Sequence, residues 1–295
     1  MKVRIGIGAA GHGLSPAALE GLCTSLVDHR FDSIWISEVL SQPGVDPLVA
    51  LGWLAGRLPA LKIGTTFLVP GRNVLRLARQ LATLDHLSGG RLLLTAVPGL
   101  PRGGERTAVG VAPRDRGQVL DDTLPVLASL LRGEPTDVEG PAGTTERVIL
   151  DPLPVQSPLE IWLGGSIPSA LDRCGRLADG WLPAMITPAD AALGKERIDE
   201  IAAEAGRSID PEHFGVSIGY SFQELPEPIG AALRERARSD DLAAIVPVGA
   251  GRLRDLLEAY LAVGFSKFVL RPLTVEGTWD AELDALERAV GDLQT

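Results

Sequence analysis

The sequence predicts an α/β chain folded as a (β/α)8 TIM barrel with an insertion in its second half. Three observations predict it. Apolar runs of strand length begin near residues 3, 33, 61 and 91, a spacing of about 30 residues. The segments between them carry helix-start signals or a helical period. The runs are apolar on both faces, as strands of a parallel sheet must be when helices cover the outside.

The elements follow in order. Val3 to Gly8 is the first strand, and Ser15-Pro16 caps and opens a helix to about His29. Asp32 to Ser37 is the second strand. Asp46-Pro47 starts a helix to about Leu58, and Leu61 to Val69 is the third strand. Asn73 to His86 is a helix with a stripe of Leu77, Leu81 and Leu84, followed by a fourth strand, Arg91 to Val97.

The regularity then breaks. Pro98 to Gly117 has no clear period, Gln118 to Leu131 is helical, and Gly133 to Pro158 is rich in Pro, Gly, Thr and Glu and reads as a small hairpin or insertion. Strands resume at Leu159 to Gly165, Asp179 to Met185, His213 to Phe222 and Ser266 to Pro272. The helices between them start at Pro168, Ala189, Ile229 and Arg252, and Ala281 to Leu293 closes the chain. Eight strands result, within one barrel domain over residues 1–295. A doubly wound open sheet is the competing architecture, but no glycine fingerprint follows the first strand.

Composition excludes some functions. A net charge of −10 argues against nucleic acid and anionic membrane as main partners. No apolar stretch reaches the ~18 residues of a membrane span, and the N-terminus has no secretory pattern. Cys23 and Cys174 fall on separate helices without metal or redox spacing, as reduced packing residues of a cytoplasmic protein do.

In such barrels the working residues lie at the C-terminal ends of the strands. That rule gathers His12, Glu38, Thr65, Thr66, Pro98, Gly99, Gly164 to Ser166, Pro183, Ser221 and Arg271 at one mouth. Glu38 raises a question, because a carboxylate at the end of an apolar strand must be solvated, paired or used. It is either a rim group paired to an arginine or capping the next helix, or a group that handles a ligand. Gly164-Gly165-Ser166 before Pro168 suits close approach of a phosphate to a helix start, and equally a ligand-free tight turn. Arg102 and Arg106 lie on a loop able to close over a polyanion; solvated arginines are the plainer reading. Trp35, Trp162 and Trp181 are strand residues for the core, with Trp181 also a candidate for the mouth. His86 reads as a helix-end residue. No cluster has zinc spacing, so no metal is expected, and Ser166 and Ser221 lack a nucleophile elbow. Without an evident acid/base set, a bound cofactor is expected to carry the reactivity.

The stretches FDSIWISE, DPLVALGWLAG, LKIGTTFLVPGRNVLRLARQLATLDHLSGGRLLL, IWLGGSIPSALDRCGRLADGWLP and GFSKFVLRP resemble the luciferase-like monooxygenase superfamily, in particular its F420-dependent oxidoreductases. The resemblance covers nearly the whole chain except the loop after the fourth strand and the insertion. It implies a barrel, usually a homodimer, that binds the deazaflavin F420 or FMN at its mouth. It makes Glu38 the acidic residue near the ring and the candidate proton carrier. Val39 stands where the family usually has histidine. Thr65-Thr66 or Thr66-Phe67 matches a non-proline cis peptide behind the ring. Val97-Pro98 partly replaces the usual glycines, and Gly164, Gly165 and Ser166 match a segment on the phosphate side. Arg271 matches a position that binds substrate or cofactor tail, a role to which His12 and Trp181 are also assigned. The function expected is hydride transfer between F420 and a small organic substrate. The alternatives are an FMN-dependent monooxygenase with a separate reductase, and a non-catalytic cofactor-binding member of the family.

Overall fold

The computed structural model describes residues 1–9, 14–101, 103–140, 142–237 and 242–295. The repeated units form as the spacing requires. Strands β1 (Arg4–Ala9), β2 (Ser33–Ser37), β3 (Lys62–Leu68) and β4 (Leu92–Val97) alternate with helices α1 (Pro16–Leu26), α2 (Pro47–Arg57) and α3 (Val74–Ser88). The helix starts are set by side chains: Ser15, Asp46 and Asn73 each accept from the N–H three residues on, at Ala18, Val49 and Arg76. After β4 come a four-residue helix α4 (Glu105–Ala108) and the long α5 (Arg116–Leu131). The insertion is a hairpin, β5 (Thr136–Gly140) against β6 (Gly143–Val148). It joins a helix to the next barrel strand, so it lies at the end of the barrel opposite the mouth.

Strands β7 (Trp162–Leu163) and β8 (Gly180–Trp181) are only two residues each, shorter than their sequences suggest. Pro183 has no N–H for a ladder bond beyond β8, and β7 runs into Gly164-Gly165. The remaining units are α6 (Pro168–Leu177), α7 (Pro188–Glu204), β9 (Gly215–Tyr220), α8 (Glu227–Ala237), α9 (Ala250–Ala262), β10 (Lys267–Pro272) and α10 (Trp279–Val290). The parallel order β8-β7-β4-β3-β2-β1-β10-β9 comes round on itself through parallel bridges Trp181–Phe214 and Ala184–Ser217. Among the described residues no helix is long and apolar enough to cross a membrane.

Two cores result. The large one lies between strands and helices and takes alternate strand residues such as Ile5, Ile34, Ile63, Leu92, Val216 and Phe268. A small one fills the barrel with Trp35, Leu182, Val269, Leu93 and Trp162. The indoles fit because the strands beside them carry glycine. A Cβ at Gly180 would lie 2.5 Å from the Trp162 ring, and one at Gly64 would run into Trp35. Cys23 and Cys174 are free and buried. His86 donates to or accepts from no catalytic partner; its ring meets the Leu153 carbonyl at 2.5 Å and fastens the chain after the hairpin to α3.

Outside the barrel, buried Tyr220 of β9 donates to buried Glu282 of α10 at 2.8 Å. Burial pushes the Glu282 carboxyl above its ordinary value, against the pull of the Tyr220 bond, and Glu276 adds to the rise. A carboxyl raised on folding contributes fully below its ordinary value of 4.5, and that contribution is lost as pH rises through the folded value. Glu282→Gln keeps an acceptor for Tyr220 and removes the charge. Thermal melts from about pH 4 to 8 should show the variant gaining on the wild type as pH rises. Parallel curves would mean that the Glu282 carboxyl has the same pKa in the folded and the unfolded chain.

Candidate functional site

The mouth is the ring of strand C-termini with the loops that follow them. Its floor is the indole layer, and side chains one step up each strand face the opening. Alternation decides which ones do. Trp35 and Leu93 turn inward, so Ser37 and Thr95 turn inward two residues later. On β3, Ile63 and Phe67 lie in the outer core. Thr65 therefore faces the helices and Thr66 the interior. Of the two threonines expected near a ligand, the structure turns Thr66 to the interior and Thr65 to the helix side. No cis peptide occurs at Thr65-Thr66 or Thr66-Phe67; the cis bonds among the described residues are Asp151-Pro152 and Ser157-Pro158. Both threonines and Phe67 are held in a regular ladder with Leu94, Thr95 and Ala96.

Glu38 is at the mouth and is paired. One carboxylate oxygen accepts from Arg72 Nη2 at 2.6 Å, the other from the Leu68 N–H at 2.8 Å. Arg72 also donates through Nε to the Leu68 carbonyl at 2.8 Å. The pair brackets the end of β3, and Glu38 is 9% exposed. Of the sequence alternatives, the geometry matches the arginine-paired one. Val39 lines a cavity of about 40 Å³ together with Ser37 and Gln42, room for a single water.

Sequence reasoning missed the group that holds the next loop. Glu105, 3% exposed, accepts from the N–H groups of Leu40 at 3.1 Å and Leu100 at 2.8 Å. It thereby ties the loop after β2 to the loop after β4. Arg116, 1% exposed, donates to the carbonyls of Leu100, Glu105, Arg106 and Val111. Gly104 packs so closely on Ser41 that a Cβ would come within 2.5 Å. No period in Pro98 to Gly117 announced this. The only hint was charged residues in an otherwise irregular run. Pro98 is half-buried at the foot of this loop, and the Arg106 side chain is exposed. His12 and Arg102 lie outside the described residues.

On the far side of the mouth, Gly165 adopts φ 97° and Ser166 is exposed. No side chain caps α6, which begins at Pro168; Ala170 and Leu171 donate to the Ile167 carbonyl, which leaves the Ser169 N–H of the first turn for a ligand. A Cβ at Gly164 would meet Val97 at 2.8 Å. Trp181 is turned outward: its indole N–H donates to the Gly165 carbonyl at 2.8 Å and its ring packs on Phe265 beneath α7. Of its two expected places, core and mouth, the structure gives it the core beneath α7. It supports the glycine turn from behind and forms part of a groove of about 340 Å³ with Ser166, Leu171 and Leu193.

Arg271 points into the barrel over Gly8, whose Cβ would lie 2.5 Å from it. Its Nε donates to Ser217 Oγ at 2.8 Å and its Nη1 to the Ala9 carbonyl at 3.2 Å. Both acceptors are neutral. Burial, with the Arg236 charge nearby, lowers its pKa to about 10. Among the described residues no group of three or more His, Cys, Asp or Glu is arranged to hold a metal ion.

A filled (β/α)8 barrel with a glycine turn, an open helix start and an unbalanced guanidinium at one mouth is a fold and site that many ligand-binding barrels share. Residues 7–263 match the luciferase-like monooxygenase family, and the chain belongs to it. It is 28% identical over 192 residues to an F420-dependent glucose-6-phosphate dehydrogenase of Nakamurella multipartita, covering 61% of this chain and 56% of that protein. It is 26% identical over 212 residues to a 5,10-methylenetetrahydromethanopterin reductase of Methanopyrus kandleri, covering 66% and 59%. The matches thus span under two thirds of those relatives' lengths. An F420-dependent secondary alcohol dehydrogenase in complex with an F420-acetone adduct shares the fold over 100% of both chains, with a TM-score of 0.83 at 17% identity.

The Glu38–Arg72 bracket makes a stability prediction. Arg72→Ala strands a buried carboxylate and should cost ~3 kcal/mol in urea unfolding. Adding Glu38→Gln removes the stranded charge and should recover part of that loss. A double variant no more stable than Arg72→Ala would show that the charge is not what the arginine satisfies.

Proposed function

We propose that the chain is an oxidoreductase that transfers a hydride between F420 and a small organic substrate at the barrel mouth. The observation that carries this reading is the Gly164–Ser166 turn running into an uncapped α6 on the same mouth as Arg271. Together these offer anion-binding groups with no protein anion on them among the described residues. The residues fit a planar ring with an anionic tail. Gly164 and Gly165 permit close approach of backbone, the α6 start suits a phosphate, and Arg271 suits an anionic group of substrate or tail. The F420 dependence of the relatives supports the deazaflavin over FMN. FMN remains the second reading because the family includes monooxygenases.

When bound, the deazaflavin supplies a two-electron hydride acceptor or donor. The protein's part is placement. The indole floor limits how deep a ring enters, and Val39 and Pro98 shape the wall where the family usually has histidine and glycine. Glu38 works through the backbone: with both oxygens engaged it fixes the end of β3 and is a positioning residue in this reading. The outer face of α2 supports a homodimer, since Val49 is 74% exposed beside Trp53, with Gly52 and Gly56 open to close approach.

Equilibrium binding of oxidised F420 and of FMN, side by side, tests the cofactor. Tight F420 and weak FMN binding is expected, and the reverse result favours the monooxygenase. Arg271→Gln should weaken binding of F420 or turnover of an anionic substrate by at least about tenfold; an unchanged variant removes Arg271 from the site. Light scattering should give twice the chain mass for the wild type and a shift toward one chain for Trp53→Glu.

A further inference from the structure

The inward alternation of three adjacent strands puts three hydroxyls in one row across the mouth. Ser37 of β2 pairs in register with Thr66 of β3, and Thr66 with Thr95 of β4. Each follows by two residues the floor row Trp35–Gly64–Leu93, and Thr95 stands in register with the other floor indole, Trp162. Thr95 is fully buried, and its hydroxyl has no hydrogen-bond partner. Ser37 and Thr66 are half-buried and make no side-chain hydrogen bond among the described residues.

Buried hydroxyls are normally bonded, and leaving one unbonded destabilises the protein that carries it. A lone orphan is weak evidence by itself. Thr65, one residue away on the helix side of β3, is also buried and unbonded. What distinguishes Thr95 is its place. It ends a row of three hydroxyls on the interior face; on the next strand Trp162 stands opposite it and Gly164 follows two residues on. The Thr95 methyl is 3.7 Å from where a Gly164 Cβ would be. The result is a row of donors and acceptors across three paired strands, bordered by Trp162 and Gly164.

We infer that Ser37, Thr66 and Thr95 bind the hydrogen-bonding edge of the cofactor's planar heterocycle, the pyrimidine-dione edge common to deazaflavins and flavins. This rests on the oxidoreductase reading above and adds to it the residues that recognise the ring. A hydroxyl both donates and accepts, so neighbouring members of the row, about 4.8 Å apart across paired strands, can serve the carbonyl and N–H groups of that edge. No charged side chain need approach. The glycine turn and Arg271 then handle the anionic remainder of the ligand.

The arrangement implies opposite effects on stability and on binding. Thr95→Val keeps shape and removes the unbonded hydroxyl, so the ligand-free protein should melt at or above the wild-type temperature. The same variant should bind oxidised F420, or FMN if that is the ring the wild type takes, about fivefold or more weakly. Thr65→Val is the control: its melting temperature should also hold or rise, with affinity unchanged. Thr66→Val supplies a second test within the row and should weaken binding as well. Row variants that bind as tightly as the wild type would overturn the inference and leave the cofactor reading standing. Equal weakening by Thr65→Val would do the same, because the effect would not belong to the interior face. A wild-type protein that binds neither chromophore would overturn both.

Discussion

The rest of the structure depends on two indoles that close the barrel from inside. Trp35 and Trp162 occupy its centre with Leu93, Leu182 and Val269. Removing such a ring costs on the order of 3–5 kcal/mol in a protein core. Their size decides the sequence of the neighbouring strands, which must carry glycine at Gly64 and Gly180. Because the centre is solid, a ligand has one end to approach. Because the floor is apolar, whatever polar chemistry the interior offers lies in the layer directly above it. The inward direction of Ser37, Thr66, Thr95, Ser217 and Arg271 acquires meaning only against that floor.

The buried charges around the mouth divide by what satisfies them. Glu38 meets a guanidinium and an N–H. Glu105 meets two N–H groups and Arg116 four carbonyls. These groups are complete within the protein and act as architecture, holding loop backbone that has no ladder of its own. Among the described residues Arg271 meets only neutral oxygens. A desolvated cation held by neutral groups alone is costly, and this sets it apart from the paired Glu38.

The repeat and its helix starts were readable from the sequence. The caps at Ser15 and Asp46 with the prolines after them, and the leucine stripe after Asn73, placed helices that the structure begins at Pro16, Pro47 and Val74. The strand ends gave the mouth. What could not be read was facing. Strands covered on both sides are apolar on both, so nothing in GTTFL distinguishes Thr65 from Thr66, and nothing in DGWLP shows Trp181 turned outward. Long-range partners were equally hidden: Glu38 and Arg72 are 34 positions apart, and either residue alone has several plausible uses. The segment holding Glu105 was opaque because its order comes from one buried carboxylate and one buried guanidinium, not from a period.

The knotting of the mouth loops has a consequence for how such a barrel diversifies. Barrels are usually thought to exchange specificities one loop at a time. Here the segment after β4 presses Gly104 on Ser41 after β2, places Val109 against Gly71 after β3, and lends Glu105 to Leu40. These three segments form one heritable unit. A graft that imports one of them from a relative arrives with the wrong neighbours, and recombination is compatible only when its crossover points fall before β2 and after α5.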